Sequence, residues 1–367
     1  MGTATIVGAG IGGLAAAVAL RRAGWDVQVV EQAKSPRELG FALALAPNAL
    51  LALRELGVED AVARDGVAVK TFEFRCADGR LLKRVEFPAD ETQSLVTLRP
   101  ALHGTLLAAV GIERVVLGRR VDSAEDLEGD VIIGADGVGS GIRHALHPDE
   151  PPPRPSGYHA LRGVTYDASW CLGPAEAVVY LGDGVEIGIA RASASAVYWY
   201  VSLVDALAAH SPVALLDRCT RGLEPRAAAI ARSARPEDMR LDQLFIRDPI
   251  RPWGRGRVTL LGDAAHPVLP HTAQGAALAL EDAVALGLAI RAEDVEGSLR
   301  SYETVRSRRT RNVVRAGPRF ASLTTTTSRL RILLRNGAIR LTPARLLSLS
   351  LQMHARDPHR ALRSQTR

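Results

Sequence analysis

Aromatic side chains are scarce in this chain of 367 residues, at 4% of the total, and there are only three cysteines and three methionines. Cys76, Cys171 and Cys219 are odd in number, far apart and outside any C-x-x-C or Cys/His cluster, which excludes a disulfide framework and a zinc site. Reduced thiols are expected, and with them a cytoplasmic protein. No stretch reaches the roughly 18 uninterrupted apolar residues of a membrane span, and Met1 to Ala9 has no charged segment before an apolar one. The chain is therefore expected to be neither exported nor to carry an integral membrane segment. With 47% hydrophobic and 23% charged residues, disorder, collagen and coiled coil are excluded. The length suggests about two domains and enough core for a deep ligand pocket.

Acidic residues are missing from the end of the chain. From Pro318 to Arg367 there are ten arginines against one acid, Asp357, a net +9, so the preceding residues sum to −3 within the overall +6. No basic stripe is interleaved with stacking aromatics, so nucleic acid is not expected as a partner. The tail reads as a helical appendage whose arginines are solvated or paired with the acidic body; a membrane surface or a dimer contact is the alternative.

What is present begins at the N-terminus. A β-branched strand, Thr3 to Val7, leads into Gly8-Ala9-Gly10-Ile11-Gly12-Gly13, a helix-forming run to Leu20, and a second strand ending at Glu31. Gly8, Gly10 and Gly13 form G-x-G-x-x-G in a βαβ unit: Gly8 permits the tight turn, Gly10 lets a pyrophosphate approach and Gly13 lets helix and strand pack closely. The helix start offers unpaired N–H groups to phosphates, and Glu31 is placed to accept from ribose hydroxyls. The motif predicts an ADP moiety and does not choose between NAD and FAD. No second fingerprint dedicated to a nicotinamide cofactor occurs.

Further on, Pro47 to Gly57 reads as a helix, Phe72 to Val85 as a hairpin around Asp78-Gly79, and Asp130 to Gly134 as a buried strand running into Asp136-Gly137. After the break at Pro148 to Pro155 come four segments of strand character, Tyr158 to Tyr166, Ala177 to Leu181, Val185 to Arg191 and Val197 to Val204. Then Arg257 to Asp263 reads as a buried strand and Gln274 to Ile290 as a helix. The fold class is α/β: a Rossmann-like domain over 1–71, 94–155 and 252–310, interrupted by an antiparallel sheet domain over 72–93 and 156–251. A basic helical region, 311–367, follows.

A second constellation is Gly262-Asp263-Ala264-Ala265-His266-Pro267, then Pro270, Gln274-Gly275 and Glu281-Asp282. A carboxylate at a strand's carboxyl end suits a polyol such as a ribityl chain, and free amides at a helix start stabilise negative charge on a reduced ring. That combination favours flavin. Taken singly, Asp263 reads equally as a turn carboxylate, and Glu281 and Asp282 as a solvated helix face.

Three separated segments, Ile6 to Glu31, Ile132 to Arg143 and Gly256 to Ala283, together resemble the group A flavin-dependent monooxygenases, the family of para-hydroxybenzoate hydroxylase. The resemblance implies that Gly8, Gly10, Ile11, Gly12 and Gly13 bind the ADP half of FAD, with Glu31 and the adjacent Gln32 at the adenosine ribose. It implies that Asp136 and Gly137 serve FAD and a transient NADH or NADPH, and that Gly262 and Asp263 hold the ribityl chain. Arg99 would lie near the ribityl and pyrophosphate, Pro270 beside the ring, and the amides of Gly275 and Ala276 at the pyrimidine edge. Departures are Ala273 where the family has glycine before Gln-Gly, Gly40-Phe41-Ala42 where it has G-x-G, and Gln32 where many relatives have arginine.

The implied reaction is hydroxylation of a small organic, aromatic or polycyclic, substrate by O2 through a flavin C4a-hydroperoxide. The same site in relatives epoxidises, inserts oxygen in the Baeyer-Villiger manner, halogenates or reduces; the W-x-W-x-I-P halogenase pattern is absent. A non-catalytic flavin sensor is the remaining alternative. For a base near the operating pH, His271 is the nearest candidate in sequence. Tyr198, Tyr200 and Ser202 share one face of a strand by period two, and with Arg162 and Arg191 on neighbouring strands they are the candidate substrate pocket. No metal site is expected.

Overall fold

A computed structural model of the chain describes residues 2–36, 41–87, 94–168, 172–173, 175–208 and 211–351. Gly40, Cys171 and the arginines from Arg356 onward lie outside the described residues. Five parallel strands form the first sheet, in the order Val258–Leu260, Val131–Gly134, Thr3–Val7, Asp26–Glu31, Val115–Leu117. Helices cover a parallel sheet on both faces, which is why Val131–Gly134 is buried at every position. Helix Ile11–Arg22 packs against helix Gly275–Ala289. The two approach closely because their contact is made of small residues: a Cβ at Gly287 would stand 3.0 Å from that of Ala19.

Seven strands form a second sheet, ordered Met239–Ile246, Arg154–Tyr166, Ala196–Val204, Val185–Arg191, Glu176–Leu181, Thr71–Cys76, Leu81–Glu86. All neighbours are antiparallel except Glu176–Leu181 with Thr71–Cys76. Trp199, Leu161 and Ile189 point to the outer face, where helices Pro212–Thr220 and Pro225–Arg232 close a core of their own. On the inner face Ala177 and Tyr198 meet Ala42 and Val96, and Ala160 and Leu244 meet Leu269 and Ala321. A small antiparallel sheet, Ala42–Leu45, Leu95–Leu98 and Val67–Ala68, which was not expected, stands at this junction.

The expected boundaries need correction. Strand Arg154–Tyr166 begins before residue 156 and strand Thr71–Cys76 before residue 72, because their first residues already pair in the second sheet. No break occurs at 310/311 either. Helix Val295–Thr324 runs straight through, since its inward residues Leu299, Tyr302, Arg306, Thr310, Val313, Gly317, Ala321 and Thr324 continue at spacings of three and four.

Glu281 and Asp282 are fully buried instead of facing solvent. Arg306 reaches both, at 2.7 Å to Glu281 and 2.6 Å to Asp282, and Arg309 lies 2.5 Å from Glu281. Burial pushes both carboxyls up, but His266 and Arg306 at Asp282, and Arg306 and Arg309 at Glu281, outweigh it and hold them well below the usual range. Removing one partner of such a cluster strands charge in the interior. Arg306→Met is expected to lower the free energy of unfolding by about 3–5 kcal/mol in urea titration. A loss under about 1 kcal/mol would show that the cluster does not hold the two helices together.

Candidate active site

The glycine loop is shaped by its neighbours. Gly8 has φ +103°, and a Cβ there would lie 2.5 Å from the Ala135 carbonyl; one at Gly13 would lie 1.9 Å from the Gly8 carbonyl. At Gly10, by contrast, no atom lies within 4 Å of a built Cβ. Gly10 caps helix Ile11–Arg22 without a side chain, so the amides of Ile11, Gly12 and Gly13 open onto this space at the positive end of the dipole. Glu31 fixes the loop, accepting from the amides of Ala9 at 2.7 Å and Ala33 at 2.8 Å. Gln32 beside it is exposed. Buried His103, marked by no local sequence pattern, donates through Nε2 to the Ala9 carbonyl at 2.8 Å.

Asp136 stands before helix Gly141–Leu146, which Ser140 caps: the Oδ2 of Asp136 accepts from the Ile142 amide, its Oδ1 is buried without a hydrogen bond, and burial raises its carboxyl pKa. Gly137 follows with φ +81°. Fully buried Arg143 then donates to the carbonyls of Ala264 and Ala265 at 2.9 and 3.0 Å and pairs with Glu150. It ties the Asp136-Gly137 loop to the Gly262–His266 loop, a role for which only its place in the Ile132 to Arg143 segment gave a sign.

Gly262 donates its amide to Asp282 at 3.0 Å, and His266 Nε2 lies 2.5 Å from the same carboxylate. Asp263, held between them, turns its side chain out into the cleft and makes no hydrogen bond among the described residues. Surrounding protein raises its carboxyl pKa, against the pull of His266 and Arg99, which places Arg99 within electrostatic reach across the cleft. Past Pro270, Ala273 takes φ +51°, the left-handed conformation natural to the glycine it replaces and costing about 1–2 kcal/mol for an L-residue. Helix Gly275–Ala289 then starts with no side-chain cap, its Gly275 and Ala276 amides free of intrahelical partners.

Facing these loops is the inner face of the second sheet. Register puts Arg162 opposite Tyr200, Ser202 opposite Glu186 and Tyr200 opposite Gly188, so all five share this face. Ser202 Oγ is 2.6 Å from His271 Nε2, which joins the sheet to the Pro270 loop. The Tyr200 hydroxyl donates to Glu186 at 2.5 Å, and Arg162 is engaged by Asp242 at 2.6 Å. Burial raises the pKa of Glu186 and pushes Tyr198 up to about 12; burial and the neighbouring Glu186 hold Tyr200 well above its ordinary value. Gly188 makes the Tyr200 position feasible, because any Cβ there would strike the phenol ring 2.0 Å away.

Two expectations change. Arg191 pairs with Val197, not Tyr198, so it takes the opposite face; its guanidinium bonds the Leu172 carbonyl and it leaves the pocket set. His271 is brought to the cleft, but burial lowers its pKa to about 4, too far from neutral for an efficient base. Glu186 and Asp242, which the sequence did not single out, stand there instead. The alternation of strand Val185–Arg191 was the signal available for Glu186.

The open cradle at Gly10, two uncapped helix starts and the unpartnered Asp263 carboxylate fit a ligand with a pyrophosphate, a polyol and a ring that becomes negative, which is FAD. The sequence matches the FAD binding domain family over residues 2–108 and 101–317, and the chain belongs to that family. It is 32% identical over 346 residues to aurachin C monooxygenase/isomerase of Stigmatella aurantiaca, covering 88% of this chain and 89% of that one. It is 31% identical over 357 residues to 6-hydroxynicotinate 3-monooxygenase of Bordetella bronchiseptica, covering 84% and 89%. Its fold superposes on the crystal structure of Klebsiella pneumoniae HpxO with FAD and uric acid at a TM-score of 0.87, 26% identity and 96% coverage of each chain. The protein is an FAD-dependent monooxygenase, an oxidoreductase that uses O2.

Gly10→Val separates folding from cofactor binding. The space at Gly10 accepts the side chain, so the melting temperature of the FAD-free protein is expected to stay within about 2 °C. FAD affinity, read by flavin fluorescence quenching, is expected to fall at least about a hundredfold as the valine fills the phosphate cradle.

Proposed function

We propose that this monooxygenase hydroxylates a small aromatic or heteroaromatic compound whose own hydroxyl is deprotonated by the Tyr200–Glu186 pair. The observation that carries the reading is the 2.5 Å hydrogen bond from Tyr200 to a buried carboxylate, on the sheet face that meets the Pro270 loop. The names of the relatives support the substrate class, since one is a 6-hydroxynicotinate monooxygenase and a structural neighbour holds uric acid.

In this reading the parallel-sheet part of the chain is the cofactor domain and the seven-stranded sheet the substrate domain. Gly8, Gly10, Gly12 and Gly13 receive the pyrophosphate, Glu31 the ribose, Asp263 and Arg99 the ribityl chain, and the Gly275 and Ala276 amides the pyrimidine edge. Bound FAD supplies the redox chemistry, drawing two electrons from NADH or NADPH and activating O2. Overall, a ring C–H, O2, NAD(P)H and one proton give a ring C–OH, water and NAD(P)+. The reducing compartment this needs agrees with the free thiols of Cys76 and Cys219, and we assign the protein to the cytoplasm.

The residues of the chain handle substrate and proton. The substrate lies between Pro270 and the sheet, its hydroxyl donating to the Tyr200 oxygen. As its ring reacts, that proton passes to Tyr200 and the tyrosine's own proton to Glu186, which enriches the ring in electrons. Burial lifts Glu186 toward neutral pH, where a carboxylate is a more effective base. Tyr198 and Ala190 keep water from the reacting centre.

Glu186 must be ionised to accept the proton, so turnover is expected to rise with pH through a pKa above the ordinary carboxylate range. Glu186→Gln should abolish that rise, and it and Tyr200→Phe should each lower kcat by about a hundredfold. Anaerobic reduction of FAD by NAD(P)H should be unchanged in both. Full hydroxylation by either variant, across a panel of phenols and hydroxylated pyridines, would refute the assignment.

A further inference from the structure

Beyond this chemistry, the C-terminal helices present a surface that the reaction does not use. Among the described residues, seven of thirteen large apolar side chains open to solvent lie between Phe320 and Leu346. Four belong to helix Arg329–Leu341: Leu330 at 68%, Leu333 at 73%, Leu334 at 64% and Leu341 at 85% exposure. Their orientation is imposed by the opposite face of the same helix. There Arg335 is buried and donates to the Thr324 carbonyl at 2.7 Å, Asn336 meets Cys76, and Ile339 packs with Cys76, Leu82 and Leu181.

At about 100° per residue, Leu330, Leu334 and Leu341 fall within about 40° of one another. Arg331 flanks this stripe on one side, Arg329 and Arg340 on the other. Residues 328–351 hold no aspartate or glutamate, and the sequence beyond them adds four arginines against Asp357. An apolar stripe bordered on both sides by arginines is the arrangement of a helix lying in the plane of an anionic bilayer, leucines at the acyl boundary and guanidiniums among the phosphates.

We propose that helix Arg329–Leu341 docks this monooxygenase peripherally on an anionic lipid surface. Charge selects this occupant over a second copy of the chain, because a symmetric contact through the stripe would set the same arginines against each other with no acid on the helix to pair them.

The test is flotation of the FAD-loaded full-length protein with vesicles of phosphatidylcholine alone or with one third phosphatidylglycerol. Flotation with the anionic vesicles, reversed by high salt and absent with the neutral ones, is expected. Arg329→Ala/Arg331→Ala/Arg340→Ala should weaken it by about a hundredfold and Leu330→Ser/Leu334→Ser/Leu341→Ser by at least about tenfold. These side chains are exposed, so FAD content and NAD(P)H oxidation in solution should be unchanged. Absence of flotation with anionic vesicles, equal flotation with neutral ones, or a solution dimer that the leucine variant dissociates would each overturn the proposal.

Discussion

Asp282 holds a negative charge where no water reaches, and the active-site loops are arranged around it. Its two oxygens take the Gly262 amide, His266 and Arg306, while the adjacent Glu281 takes Asn48, Arg306 and Arg309. Desolvating two carboxylates and an arginine is expensive and demands close pairing of opposite charges. The geometry that satisfies it also places Asp263 at the cleft, aligns the start of helix Gly275–Ala289 and locks that helix to Val295–Thr324. The cluster therefore acts as a template for the cofactor side of the site.

The two sides of the cleft follow different physical rules. On the proposed cofactor side, the open groups are mostly backbone amides at helix starts, kept free by glycine and by the lack of capping side chains. On the proposed substrate side they are side chains on a rigid sheet, Tyr198, Tyr200, Glu186, Ser202 and Arg162, held in register by the ladder. The first arrangement suits one fixed ligand. The second lets individual positions change while the sheet persists, and the small residues Gly188 and Ala190 leave room where the tyrosines stand.

This difference governs what could be read before the structure was known. The glycine loop, Glu31 and the Gly262-Asp263 turn are local in sequence, because a tight turn and a helix start are built from consecutive residues. Buried Glu281 and Asp282 looked like a solvated face, since their partners Arg306 and Arg309 come from the next helix. Likewise Glu186 meets Tyr200 only across a strand pair whose register the sequence does not state, and parity alone removes Arg191 from the pocket. The thirty-residue helix carries the chain past residue 310 and through Pro318, because its inward stripe continues.

The helix behind Glu186 links the two ends of the molecule. Thr324 lies beside the Glu186 carboxylate and its carbonyl receives Arg335, so the inner face of the C-terminal region backs the proposed substrate side. The central claim remains that this cleft transfers one oxygen atom from O2 to a ring. Turnover of a hydroxylated aromatic under heavy-isotope O2, with product mass followed, tests it most directly. One heavy oxygen per product, matched by one NAD(P)H consumed, is the predicted result; oxygen derived from water, or peroxide formed with no oxygenated product from any compound tried, would contradict it.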